Sequence, residues 1–185
     1  MKLFVPLILG TAREGRRSEH AAEFVLEEIR KRDDMEAELL DVRHFRLPAT
    51  DNTEQDALEK KFSGRIARSD ALVIVTPEYN HGYPGELKMM LDMAYKEYAR
   101  KPMAICGTGG GLGGGRMTEQ LRLVAIELGM APIREAVYFS DIWNLFDEKG
   151  AIKDPAYEGR VKAMLDELSW YAVALKRARA ETRSS

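Results

Sequence analysis

The chain has 185 residues, a length that argues for one domain and suffices to bury a three-layer core without staples. Its 28 basic and 30 acidic residues leave a formal charge of −2, which excludes a global basic field of the kind that gathers nucleic acid or anionic lipid. A single cysteine, Cys106, excludes an intramolecular disulfide and a CxxC metal cluster, and the apolar N-terminus is too short to cross a bilayer and lacks a small-residue cleavage site. A cytoplasmic protein with neither nucleic-acid nor membrane partners is expected.

Residues 3–9 form an apolar run suited to a strand buried on both faces, interrupted at Pro6, which lacks an N–H. Ser18 reads as the N-cap of a helix with the stripe Ala21, Ala22, Val25, Leu26 and Ile29. Residues 35–42 read as a second strand, Ala37 and Leu39 alternating against Glu36 and Glu38. A polar loop over 48–55 leads to a helix over 54–68, with Leu58, Phe62 and Ile66 spaced four apart. The clearest buried strand covers residues 71–75. A helix over 85–98, a strand over 103–106, a glycine tract and a helix over 117–128 follow. A strand over 133–139 and a helix over 155–178 complete the pattern, and residues 180–185 read as a frayed tail.

Strand and helix alternate throughout, the signature of an α/β protein whose parallel sheet is covered on both faces. Five strands fit a flavodoxin-like three-layer sandwich with sheet order 2-1-3-4-5, one domain over residues 1–185. Ligands of such sheets bind beyond the carboxyl ends of the strands, where the strand order switches. Three unusual loops leave those ends.

The first loop, residues 10–18, joins a strand to a helix N-terminus, where unpaired N–H groups and the helix dipole favour an anion. Thr11 and Ser18 offer hydroxyls there, and Arg13 and Arg16 offer charge-assisted bonds to phosphate oxygens. No Gly-Lys-Ser/Thr ending follows, so a monophosphate fits better than a Walker-type triphosphate. The second loop, residues 77–85, holds two prolines, two glycines and two tyrosines, a stiff support for a planar ring. Within it Glu78 reads equally as a group that orients the loop or an interface or as a proton carrier, and His81 as an incidental loop histidine. In the third loop, residues 107–116, glycines let backbone amides approach a ligand closely. The spacing Gly109-x-Gly111-x-x-Gly114 matches a dinucleotide fingerprint, as almost any pattern would among so many glycines, and no acidic residue follows on a strand tip.

Together the loops resemble the NADPH-dependent FMN reductase family, which includes flavin, quinone, azo and chromate reductases of flavodoxin-like fold. Thr76-Pro77-Glu78-Tyr79-Asn80, then Pro84-Gly85-x-Leu87-Lys88 and Leu91-Asp92, match the family's PEYN…PGxLKNxxD signature. The first loop is similar to its G-S/T-x-R-x-G-(x-x)-S phosphate loop and the third to its glycine segment ending GG-x-R. The resemblance implies that Thr11, Arg13, Arg16 and Ser18 hold an FMN phosphate. It implies that Pro77, Glu78, Tyr79 and Asn80 line the isoalloxazine, mainly through backbone, while Thr108, Gly109 and Gly110 approach its other edge. It also implies a homodimer or homotetramer, with Met89, Met90, Met93 and Tyr95 near the contact. Met89 and Met93 depart from the family's usual asparagine and aromatic, as does His81-Gly82-Tyr83 from a serine-containing stretch.

The expected function is FMN-dependent transfer of electrons from NADPH or NADH to a small acceptor: flavin, quinone, azo compound or metal oxyanion. No side-chain nucleophile or metal is called for, because the flavin carries the chemistry. Arg116 and Arg122 are candidates for the 2′-phosphate of NADPH. A non-enzymatic FMN electron carrier or redox sensor, and a Rossmann-like NAD(P) protein without flavin, are the competing readings.

Overall fold

The computed structural model describes residues 2–46 and 57–183. The loop expected at 48–55 lies outside the described residues, as does the start of the helix expected from residue 54.

The strands are β1 (Leu3–Phe4), β2 (Leu7–Leu9), β3 (Met35–Glu36), β4 (Leu39–Asp41), β5 (Leu72–Pro77), β6 (Pro102–Thr108) and β7 (Ala131–Phe139). The main sheet is parallel with the order β4-β2-β5-β6-β7, while β1 and β3 form a separate two-stranded ladder. The first two expected strands are thus each split in two; counted as single interrupted strands, they restore the order 2-1-3-4-5. Pro6 is the reason for the first break, since it has no amide to give. Its neighbours keep the ladder going, with Val5 N and Leu7 N donating to Glu36 O and Glu38 O, each at 2.9 Å.

The sheet is packed on both faces by α1 (Ser18–Arg30), α2 (Ala57–Arg68), α3 (Gly85–Leu91), α4 (Gly115–Glu127), the short α5 (Ile142–Leu145) and α6 (Ala156–Arg183). Alternation along β5 shows the division: Val73 and Val75 join the core beneath α1 and α6, and Leu72 and Ile74 join the core beneath α2, α3 and α4. Each fully buried aliphatic side chain contributes roughly 1.5–3 kcal/mol. Leu39 departs from its expected inward face and is 38% exposed, while Leu40 is buried.

Three elements differ from expectation. The helix expected over 85–98 ends at Leu91, and after a break a 3-10 turn follows at Lys96–Tyr98. The buried Tyr98 side chain returns to the break, its hydroxyl donating to Leu91 O at 2.9 Å, so a carbonyl freed by the broken helix is satisfied. Helix α6 runs to Arg183, into residues read as frayed, because Lys176 pairs with Asp70 at 2.7 Å and Arg179 donates to Arg100 O at 2.6 Å. The third, α5, carried no sequence signal. The outer edge of β7 is closed by side chains: Arg122 donates to Ile133 O and Arg134 O, and Glu167 accepts from Glu135 N at 2.7 Å. Among the described residues no helix is long and apolar enough to cross a membrane.

Replacing Tyr98 by Phe removes the shorter of the two hydrogen bonds to Leu91 O and leaves it only Ala94 N at 3.3 Å. It should cost about 0.5–1.5 kcal/mol, read as a lower midpoint in urea unfolding with an unchanged slope.

Candidate functional site

The loop between β2 and α1 is held from several sides. Arg16 is buried, and its guanidinium meets Asp41 in a bidentate pair, with Nη1 to Oδ1 at 2.7 Å and Nη2 to Oδ2 at 2.5 Å. Nη1 also donates to Thr11 O at 2.6 Å, and Nε and Nη2 donate to Glu19 at 3.4 and 3.3 Å. These five contacts use all five N–H donors of the side chain. Asp41 in turn accepts from Arg43 N at 2.9 Å, and Arg43 donates to Ala12 O and Arg13 O at 3.2 and 2.7 Å. Glu86 accepts from Ala12 N at 3.0 Å. Burial works against both charges, but the mutual hydrogen bonds outweigh it: the Asp41 carboxyl is held below its ordinary range and the Arg16 guanidinium above its own.

This arrangement redistributes the roles expected of the loop. Arg16 was expected on phosphate; with its donors spent inside the protein, it positions the loop instead. The Thr11 hydroxyl is also engaged, lying 2.9 Å from the Tyr79 hydroxyl and accepting from Arg13 N at 3.3 Å, and so it ties the first loop to the second. Ser18 is the first helical residue rather than the cap, a position that Arg17 takes without a side-chain hydrogen bond. Its hydroxyl is buried with no partner among the described residues. The exposed guanidinium groups of Arg13 and Arg17 also make no hydrogen bond among the described residues. An orphaned hydroxyl, an uncapped helix N-terminus and two uncommitted cations together form an anion cradle.

Glu78 bonds to the helix that follows the third loop. Its Oε2 accepts from Arg116 N at 3.1 Å and Met117 N at 3.4 Å, and its Oε1 meets Arg116 Nη1 at 3.2 Å. A carboxylate from the second loop thereby caps the helix that follows the third. Beyond it Tyr79 and Gly82 exchange backbone bonds of 2.8 and 3.0 Å around Asn80 (φ 51°) and His81 (φ 68°). This is the tight turn that needs two left-handed residues. In the third loop the chain folds back on the end of β6, so that a Cβ on Gly107 would lie 2.5 Å from Gly113 O, and Gly114 adopts φ 90°. The amides of Gly110 and Gly111 make no hydrogen bond among the described residues.

The loops enclose a cavity of about 530 Å³. Thr11, Arg13, Arg16, Ser18, Pro77, Glu78, Tyr79, Thr108, Gly109 and Gly110 all line it. Asn80 does not, since the turn carries it outside, and Arg122 is spent on the edge of β7, whereas Arg116 is on the wall. Sequence reasoning missed Arg17, Ile142 and Trp143 as lining residues. Arg17 stood beside the arginines singled out, but the segment carrying Trp143 has no periodicity to mark it.

A parallel α/β sheet whose switch-point loops build an anion cradle beside a glycine-lined cavity defines a nucleotide-cofactor protein of the flavodoxin-like class. The sequence pattern of the NADPH-dependent FMN reductase family matches residues 2–144, and the chain belongs to that family. An NAD(P)H:quinone oxidoreductase of Solanum tuberosum is 30% identical over 77% of each chain, and an NAD(P)H-dependent FMN reductase of Schizosaccharomyces pombe is 42% identical over 42% of this chain and 40% of its own. Among solved structures, the flavoenzyme NAD(P)H:(acceptor) oxidoreductase FerB of Paracoccus denitrificans superposes with a TM-score of 0.77 at 23% identity, covering 91% of this chain and 98% of its own. A flavodoxin of Streptococcus pneumonia TIGR4 gives 0.55 at 13%, covering 90% and 97%; these two likenesses are of fold. The chain is an oxidoreductase that uses FMN with NAD(P)H as reductant.

Arg16→Met should cost about 3–5 kcal/mol in chemical unfolding at neutral pH, because Asp41 is left buried without its partner. The depressed Asp41 pKa contributes stability that is present above the unfolded carboxyl value of about 4 and lost as pH falls through the folded value. Asp41→Asn should therefore be less stable than the parent at pH 7, and the difference should shrink on acidification below about pH 4.

Proposed function

We propose that the three-loop cavity holds FMN with its phosphate against Arg13, Arg17, Ser18 and the N-terminus of α1. The observation that carries the reading is the buried, unpartnered Ser18 hydroxyl beside an uncapped helix start. Two free guanidinium groups match the dianionic character of a phosphate monoester, and the cavity volume lies in the range of small-molecule sites. Thr11, Arg16, Asp41 and Arg43 hold the loop in shape rather than touching phosphate.

The ring would lie between Pro77–Tyr79 and Thr108–Gly110, residues 77–79 and 108–110. Bound FMN supplies acceptance of hydride from NADPH or NADH and its onward delivery to a small acceptor. The chain's part is binding, orientation and electrostatics. The free amides of Gly110 and Gly111 are donors available to an electron-rich ring edge, a role that needs no rearrangement because the loop is already folded. The Glu78 carboxylate keeps that loop in register through α4. Quinone, flavin, azo compound and metal oxyanion all belong to the acceptor range of this reading. We place the enzyme in the cytoplasm as a single-domain homodimer or homotetramer. One buried cysteine suits a reducing compartment, and the exposed Met89 and Tyr95 suit a subunit contact.

The test is an anaerobic titration. Protein mixed with FMN and desalted should keep its flavin absorbance, which NADPH or NADH should bleach. Arg13→Ala and Arg17→Ala should each raise the FMN dissociation constant by roughly ten- to a hundredfold, and Ser18→Ala by roughly fivefold. Wild-type protein that retains no flavin, or variants with unaltered affinity, would sink the assignment.

A further inference from the structure

Residues 140–155 lie between β7 and α6, a connection longer than most strand-to-helix crossings need. The segment is strapped down. Asp141 N donates to Gly110 O at 3.2 Å and Ile142 N to Gly109 O at 3.1 Å, which stitches its start to the glycine loop. Asp141 takes a left-handed φ of 50° and its carboxylate accepts from Asn144 Nδ2 at 3.1 Å, closing the turn that begins α5. Further on, buried Phe146 packs with its ring centre 6.3 Å from that of Phe139 and 5.7 Å from that of His20 on α1. The strap thus runs from the glycine loop to the helix that starts at the anion cradle.

Trp143 is the exception within it. Ile142 and Phe146 are buried, whereas Trp143 is 62% exposed although it lines the cavity. Its indole lies 3.5 Å from where a Cβ on Gly110 would stand, in ordinary contact with the glycine loop. Among the described residues no hydrogen bond of its side chain and no core packing calls for an indole there. A wide, flat apolar surface left in water at the wall of a cavity marks a contact surface for something that fills the cavity. A planar indole beside a glycine loop that has no side chains in the way suits a planar aromatic ring system.

We propose that Trp143 is a cofactor-contact residue: the strap forms a fourth wall of the cavity, and the indole covers bound FMN and slows its release. The proposal rests on the flavin reading above. Contact with the ring system adds one aromatic stack and keeps water from that side of the cavity.

The chain has two tryptophans, which makes the test selective. FMN dissociation constants and release rates are measured for wild type, Trp143→Ala, Trp143→Phe and the control Trp170→Ala, whose side chain is exposed on α6. Thermal melting of each protein without FMN is recorded alongside. Trp143→Ala should raise the dissociation constant roughly tenfold, mainly through faster release, and Trp143→Phe should recover most of the loss. Trp170→Ala should match wild type, and FMN-free melting should be the same throughout. A constant within about twofold of wild type in Trp143→Ala overturns the proposal. So does a loss equal in the Ala and Phe variants with lowered melting, which makes the residue merely structural. Unchanged FMN affinity with a raised acceptor KM gives the indole to the second substrate, and that also overturns it. Failure of the flavin reading itself shows in wild type, as absence of retained FMN before any variant is compared.

Discussion

The site depends on the buried ion pair between Arg16 and Asp41. It joins the first loop to the end of β4, and the remaining donors of Arg16 hold Thr11 O and Glu19. Arg43, whose amide also binds Asp41, fixes the next two carbonyls of the loop. A charge pair taken out of water stabilises little by itself, since desolvation cancels much of the attraction. Its value here is geometric. With the backbone at residues 11–13 held on several sides, Arg13, Arg17 and Ser18 are presented with their donors unused.

The same economy links the other loops. Thr11 meets Tyr79 across the first and second loops, and Glu78 caps α4 from the second loop across the third. Side chains that look from sequence like ligand contacts act as struts, and ligand-facing capacity passes to groups with nothing else to bond. Buried polar groups are normally satisfied within the protein, so an orphaned hydroxyl next to free cations and open amides is stored binding capacity.

The two ends of the sheet differ in sign for one reason. Parallel strands with crossover helices direct helix N-termini to the strands' carboxyl ends and helix C-termini to the amino ends. The carboxyl end therefore favours negative charge. At the amino end a broader cleft of about 950 Å³ is rich in cations, including Arg68, Arg100, Lys101 and Lys176. Lys101 donates to Ile66 O and Ala67 O at the end of α2, where the last helix carbonyls lack an i+4 amide partner. Lys101 thus answers the carbonyl end of a helix, and Lys176 is held by Asp70.

Hydrophobic alternation, βα punctuation and loop composition determined the class of fold, its five parallel strands and the three loops that meet at the site, because burial on two faces and unusual backbone demands both leave local marks. PEYN-type and glycine-rich segments were legible for the same reason. The assignment of Arg16 and Thr11 to struts was not legible, since Asp41, Arg43 and Tyr79 are distant in sequence and hydrogen-bond partnership is decided in space. The end of α3 at Leu91, which a buried tyrosine seven residues on meets, was likewise not legible, nor was the wall bearing Trp143, whose amides pair with the glycine loop. Sequence by itself determines which groups are available; only tertiary structure decides which are already satisfied, and what remains unsatisfied is what a ligand can use.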